Sequence, residues 1–345
     1  MQPAHYTKAL ILALLIVTCF IAWWEYFWRS KGYSISYNDD KILWAHKRKE
    51  AYKPLDQSTV FIGGSRIKFD LDIPTWQKLT GEQPVQLALV GTAPRLLLKD
   101  LARDKNFKGK VVIDVTEHAF FSIDTLRTER SAREGISYLR NETPTQKVSA
   151  SINYFLESNL VFLEEGKFGL NNLLNELPMP NRQTIIVRPR VPKYMSMTSF
   201  ERQSIFTSIF LADSGLQIKQ IEFWNRNGRM NKDVPIKGDT LEAFFKQLKT
   251  SIDKIRSRGG LVVFVRPPSN GKYLEREKRD YPRGQYWDRL LEYTKTPGYH
   301  FSDYPAIANL DCPESSHLSP NAAIIYTKHL AQILKEKKAW TYQHP

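Results

Sequence analysis

An α/β domain built on a parallel sheet is predicted by three features of the sequence. Short β-branched or aliphatic runs are punctuated by glycine: Thr59-Val60-Phe61-Ile62 stops at Gly63-Gly64, Val85 to Val90 (VQLALV) stops at Gly91, and Val111 to Val115 (VVIDV) follows Gly109. These buried-strand candidates recur every ~25 residues, with helical material such as Arg95 to Asp104 between the second and third, which is the rhythm of βαβ units. The third feature is a helix with both ends marked. Asp239 and Glu242 form a D-x-x-E start, Leu241, Phe244, Phe245, Leu248, Ile252 and Ile255 share one face, and Gly259-Gly260 ends it. A fourth strand, Leu261 to Val265 (LVVFV), follows and stops at Arg266-Pro267-Pro268. Near the C-terminus, Ser319 is an N-cap with Pro320 at the first helical position, opening a helix to about Lys337.

The elements are arranged in one order along the chain. Residues 1–8 form a short arm, 9–28 a membrane span, 29–57 a polar juxtamembrane stalk with room for a short helix, 58–337 the α/β domain and 338–345 a tail. A large, mainly helical insertion of about residues 122–238 separates the third and fourth strands, and loops that long are usually lids or binding elements. No internal repeat or low-complexity tract is found.

Ala9 to Trp24 carries no charge, and its extension through Glu25 to Trp28 gives about 20 residues, ~30 Å of helix, the thickness of a bilayer core. Trp23, Trp24, Tyr26, Phe27 and Trp28 resemble the aromatic belt at the headgroup level, where Glu25 can reach water. Bulky aromatics end the run and no small-x-small site follows, which favours an uncleaved anchor over a cleaved signal peptide. Lys8 before the span and Arg29 and Lys31 after it leave orientation undecided by charge. A short arm followed by a long domain is the layout of a signal anchor. The expected location is therefore a bacterial inner membrane, single-pass, with the domain on the extracytoplasmic side.

Composition narrows the function classes. Fifty Lys and Arg against 36 Asp and Glu leave a net charge of +14, and 42% of residues are apolar, enough for a core. The cations are scattered, with no RNP, helix-turn-helix or zinc-finger pattern, so an acidic glycan or anionic membrane surface is expected rather than nucleic acid. Cys19 and Cys312 are the only cysteines, which excludes a disulfide framework and a cysteine-type zinc cluster.

Two stretches carry candidate chemistry. Gly63-Gly64-Ser65 puts a serine directly after a strand and two glycines, at the sheet edge where substrate can approach backbone N–H groups. No G-x-x-x-x-G-K-[ST] is present, and the G-x-S-x-G elbow fails because Ile occupies position 67. Far along the chain, Asp311-Cys312-Pro313-Glu314-Ser315-Ser316-His317 precedes the last helix; Glu314 can orient the His317 imidazole towards a serine, with Asp311 a second candidate orienter. Arg66, Arg95 and Arg266 each stand at or beyond a strand end, where an arginine can hold a carboxylate, phosphate or sulfate bidentately; Arg66 and Arg266 are the substrate-binding candidates.

Together these pieces resemble the SGNH/GDSL hydrolase superfamily over about residues 58–123 and 239–337. The first block is similar to Gly63-Gly64-Ser65, the second to Gly91 in LALVGTAP, and the last, a D-x-x-H loop, to Glu314-Ser315-Ser316-His317. The resemblance implies a three-layer α/β/α fold of SGNH/flavodoxin-like type, with Ser65 as nucleophile, His317 as base, Glu314 as its orienter and the N–H groups of Ser65 and Gly91 as oxyanion donors. It implies no cofactor and no metal. Two departures stand out: Glu314 replaces the usual Asp, and Val115-Thr116-Glu117-His118 lacks the third-block asparagine. An ionised Glu117 cannot donate to an oxyanion, and losing one donor typically costs roughly 10²–10³ in rate.

The expectation is thus a membrane-anchored serine esterase or O-acyltransferase acting on an acyl ester of a cell-envelope glycan or polymer, with a partner membrane acyltransferase as a further possibility. Single-span relatives in alginate O-acetylation and teichoic-acid D-alanylation are similar in layout. The alternative is a catalytically inactive module of the same fold that binds a glycan or a partner membrane protein.

Overall fold

The computed structural model describes residues 3–52, 58–174, 191–192, 194–230 and 234–337, the side chains of 3–5 and 227–230 excepted. The chain divides into two compact units. The smaller combines residues 1–38 with 144–188, and the larger 39–143 with 189–345. The tail predicted at 338–345 lies outside the described residues.

The larger unit is an α/β domain around a five-stranded parallel sheet. Its strands are β1 (Ser58–Ile62), β2 (Gln83–Gln86), β3 (Lys110–Asp114), β6 (Leu261–Arg266) and β7 (Gly298–His300), in the order β2-β1-β3-β6-β7. Register runs Val60 opposite Val85 and Val111, and Val111 opposite Val262. All five residues of β1 and of β3 are buried, as expected for strands covered on both faces. Alternate residues divide between two apolar clusters. Val60, Ile62, Val111, Ile113 and Phe264 join Leu97, Leu101 and Phe245, whereas Phe61, Val112, Val263 and Val265 join Trp76, Tyr326 and Leu330. The fifth strand, β7, and the short antiparallel hairpin of β4 (Ser196–Thr198) and β5 (Ser204–Phe206) have no counterpart among the predicted strands.

From β1 the chain moves outward to β2 and then crosses to β3 on the other side of β1. The carboxyl ends of β1 and β3 therefore flank a topological switch point, the place where open α/β sheets form crevices. Helix α3 (Ser65–Asp70) leaves β1 directly; α4 (Ile73–Thr80) precedes β2, and α5 (Arg95–Arg103) joins β2 to β3.

Part of the predicted stalk belongs to this domain. Asp40 caps α2 (Lys41–Lys49) by accepting from the N–H groups of Ile42 and Leu43. Leu43, Trp44 and Ala45 are buried, and the Trp44 indole donates to Leu87 O at 3.0 Å. Arg48 pairs with Asp100 at 3.1 Å and Asp104 at 2.9 Å. The domain therefore starts at Asp39 rather than at residue 58.

The smaller unit is organised by helix α1 (Pro3–Ser30), which begins well before the expected start at residue 9. Its Tyr6–Ser30 stretch, which contains 18 residues of mean hydropathy 2.1, is long and apolar enough to cross a membrane. Glu25, expected to reach water, accepts from Arg29 Nε at 2.5 Å and from the Val161 N–H at 2.8 Å. Trp28, Tyr33 and Phe168 form an edge-to-face cluster, and Asn38 donates to Glu157 Oε1 and Leu163 O while accepting from the Glu165 N–H. Part of the predicted insertion is therefore built onto the end of the apolar helix, while residues 122–143 and 189–238 belong to the sheet domain.

Candidate active site

Ser65 is the first residue of α3, so its side chain projects from the carboxyl edge of β1. Asp114, at the end of the neighbouring β3, fixes the turn that delivers it: one carboxylate oxygen accepts from the Gly64 N–H at 3.0 Å and from the Thr116 hydroxyl at 3.0 Å. Burial raises the Asp114 pKa, opposed by Arg66 and these hydrogen bonds. Only glycine fits at position 63, because an added Cβ would lie 2.4 Å from Asp114 Cβ.

The late loop meets this turn. His317 Nε2 lies 2.8 Å from Ser65 Oγ, and His317 Nδ1 lies 2.7 Å from Glu314 Oε1, which also accepts the His317 backbone N–H at 2.7 Å. Both members of the acid–imidazole pair are buried, so the low local dielectric strengthens their interaction. Three consecutive loop residues are tied to α3: Ser316 O accepts from Arg66 Nε at 3.2 Å, His317 meets Ser65, and the Leu318 N–H donates to Asp70 Oδ1 at 2.9 Å. A six-residue helix thus aligns the imidazole with the serine from both of its ends. Asp311 is exposed and makes no contact with the imidazole; its backbone carbonyl accepts the Ser319 N–H.

The second oxygen of Glu314 accepts from the indole N–H of Trp224, on the Ser214–Met230 helix. Nothing in the sequence singled out this tryptophan. Its ring also lies 5.9 Å from the His317 ring, which Phe69 flanks at 4.4 Å and Phe206 at 6.3 Å. Phe69, Met195, Phe206 and Phe210 make a separate apolar cluster that seats the hairpin and this helix against α3. Each well-buried member is worth ~1.5–3 kcal/mol.

Gly91 sits in the left-handed region at φ 64°, in the turn after β2. Among the described residues, neither its N–H nor that of Ser65 donates a hydrogen bond within the protein.

The arginines differ from the sequence expectation. Arg66 and Arg266 are buried and turned to internal partners, with Arg66 Nη1 left without a hydrogen bond. Arg66 Nη2 and Arg266 Nη2 each donate to one oxygen of Glu277 at 2.6 Å, Arg266 Nε donates to Glu117 Oε1 at 2.8 Å, and Arg66 Nη1 stands 3.6 Å from Glu117 Oε2. Arg266 also donates to Pro267 O and Ser269 Oγ, and stacks over Phe301 at 4.8 Å. They form a buried four-charge network beneath the serine turn instead of presenting guanidinium groups to a substrate. Burial opposes ionisation of Glu277, but Arg66 and Arg266 outweigh it and hold its pKa at about 2. Arg95 is partly exposed and pairs with Glu129 at 3.6 Å.

His118, on the exit from β3, has its pKa pushed down to about 4 by burial, with Arg66, Arg276 and Arg127 adding to the effect. It is neutral at pH 7. Its Nδ1 lies 3.3 Å from the Tyr273 hydroxyl. Among the described residues no grouping of three or more His, Cys, Asp or Glu side chains is placed to hold a metal ion.

No protein-family model matches the chain, and no curated protein matches it. The functional reading therefore rests on the site itself.

Proposed function

We propose that this protein is a membrane-anchored serine esterase or O-acyltransferase of SGNH-like, three-layer α/β/α architecture. The observation that carries the reading is the continuous hydrogen-bonded series from Ser65 Oγ through the His317 ring to Glu314, assembled from residues 252 positions apart. Ser65 Oγ attacks the acyl carbon while His317 Nε2 takes its proton. Glu314 holds the Nδ1 hydrogen and stabilises the imidazolium, and the Trp224 indole holds the carboxylate. The N–H groups of Ser65 and Gly91 receive the oxyanion. The alcohol leaves with the proton from His317, and water or an acceptor hydroxyl then discharges the acyl-serine.

The cell-envelope setting is supported by the apolar N-terminal helix, for which we infer a single-pass anchor with the domain on the extracytoplasmic side. Aromatic enclosure of His317 limits water around the base, which supports transfer to a sugar hydroxyl over hydrolysis. The second reading, an inactive glycan- or partner-binding module, is favoured by one observation: Glu117, in the third-block position, is consumed by Arg266.

Hydrolysis of p-nitrophenyl butyrate by the full-length protein in detergent tests the proposal. Turnover should fall by roughly 10³-fold or more in Ser65→Ala and in His317→Ala, and by roughly 10²–10⁴-fold in Glu314→Gln. A folded wild type no faster than Ser65→Ala would leave the binding module as the better reading.

A further inference from the structure

Three clefts adjoin one another along α5, and Lys99 lines all of them. One, of about 320 Å³, opens between α5 and the Arg130–Asn141 helix. A second, of about 130 Å³, lies between the Arg95 end of α5, Thr125 and the Gly238–Arg256 helix. The third, of about 280 Å³, lies between the Arg103 end of α5 and that same helix. Together they make a furrowed surface along both flanks of α5, the helix that leaves the Gly91 turn: the first cleft lies on one flank, and the other two lie end to end on the opposite flank as a furrow between α5 and the Gly238–Arg256 helix. Its near end, at Arg95 and Thr125, is on the carboxyl edge of the sheet, the edge that carries Ser65.

The charge on this surface is one-sided. Arg95, Lys99, Arg103, Arg133, Arg140 and Lys254 line it, against two carboxylates. Both carboxylates are already matched twice. Asp100 is paired with Arg48 at 3.1 Å and Arg140 at 3.3 Å, and Glu129 with Arg95 at 3.6 Å and Arg133 at 3.4 Å. Lys99, Arg103 and Lys254 are exposed, and among the described residues none of them pairs with a carboxylate. Lys99 and Arg103 are one helical turn apart, so their charges follow one another along the furrow. Between the cations the floor is apolar, with Leu96, Ile136 and Leu248.

These features select among polyanions. A flat bilayer surface does not follow concave clefts on the two flanks of a helix, and no exposed aromatic side chain lines them as a platform for nucleic-acid bases. Sugar rings fit: their C–H faces pack on an apolar floor while acidic substituents meet cations on the rim. We propose that the α5 furrow binds an anionic polysaccharide and leads it to the sheet edge at Ser65. The binding stands on the furrow alone; only its purpose, delivery of an acyl donor or acceptor chain, rests on the reading of Ser65 as nucleophile.

The test is binding of fluorescent polygalacturonate oligomers to the full-length protein in detergent, read by anisotropy at low and high salt, with dextran oligomers of equal length as the neutral control. Wild type and Ser65→Ala should bind polygalacturonate alike, prefer it over dextran, and weaken as salt rises. Lys99→Gln/Arg103→Gln/Lys254→Gln should bind at least ~10-fold more weakly with a shallower salt dependence, while keeping its circular dichroism and its turnover of p-nitrophenyl butyrate. Equal binding of polygalacturonate and dextran, undiminished binding by the triple variant, or tighter furrow-dependent binding of duplex DNA would each overturn the proposal. Absent ester turnover with intact, furrow-dependent binding would instead remove the catalytic reading and leave the furrow standing.

Discussion

Trp224 completes the hydrogen bonding of Glu314, the carboxylate of the candidate site. A buried carboxylate with a free oxygen is costly, and Glu314 has both oxygens satisfied, one by His317 and the other by the indole. Trp224→Phe keeps an aromatic ring in the cluster but deletes that donor. Since a hydrogen bond to a charged group contributes ~1.5–3 kcal/mol, kcat is expected to fall by roughly 10–100-fold, and Tm should fall as well because one buried carboxylate oxygen loses its donor. Unchanged kcat would show that the indole only fills space. The residue was not legible in the sequence because its helix carries no periodicity that singles out position 224. Nor could the sequence show that Arg66 is internal, since its partner Glu277 lies 211 residues away. An arginine at a strand end looks the same whether it awaits a ligand or a buried carboxylate.

At the scale of elements, α3 is the joint on which the site depends. It is too short to be stable alone, and it is held by Asp114 at the Gly64 turn and by the late loop along its length. Asp70 makes a sharp test. Its Oδ1 accepts the Leu318 N–H, its Oδ2 has no partner, and burial raises its pKa well above the ordinary value. A carboxyl that holds its proton more tightly in the fold than in the unfolded chain costs stability as pH rises above about 4. Asp70→Asn keeps an acceptor for Leu318 and removes the charge. It should therefore raise Tm at pH 7, with the gain shrinking towards pH 4; a lower Tm at pH 7 would mean that Asp70 is held ionised by a favourable contact. Strand ends and the Ser319-Pro320 cap were legible, because glycine, proline and capping residues act locally. By contrast, α2 read as a stalk: its three core residues, Leu43, Trp44 and Ala45, are surrounded by lysines and an arginine, and only contact with the sheet reveals their burial.

At the scale of the whole molecule, the buried Arg66–Glu277–Arg266–Glu117 network sets an acid limit on the fold. Glu277 has its folded pKa at about 2, below the ~4.3 of an unfolded glutamate. Its stabilising contribution is therefore full above about pH 4.3 and lost as pH falls towards about 2. Thermal melts of the wild type should drop steeply over that range, whereas Glu277→Gln should start lower at pH 7 and fall less. A wild-type Tm that is flat from pH 5 to pH 2.5 would contradict this assignment. The division of the chain follows the same large scale: the apolar helix takes residues 144–174 with it, a pairing across more than a hundred residues that no local pattern encodes.

The proposed function requires that the fold make one serine hydroxyl, that of Ser65, nucleophilic. Intact-mass analysis of the full-length protein after exposure to a fluorophosphonate measures this directly. A single adduct is expected, mapped to Ser65 and missing from Ser65→Ala and from His317→Ala. A folded wild type that stays unmodified, or an adduct on any other residue, would contradict it.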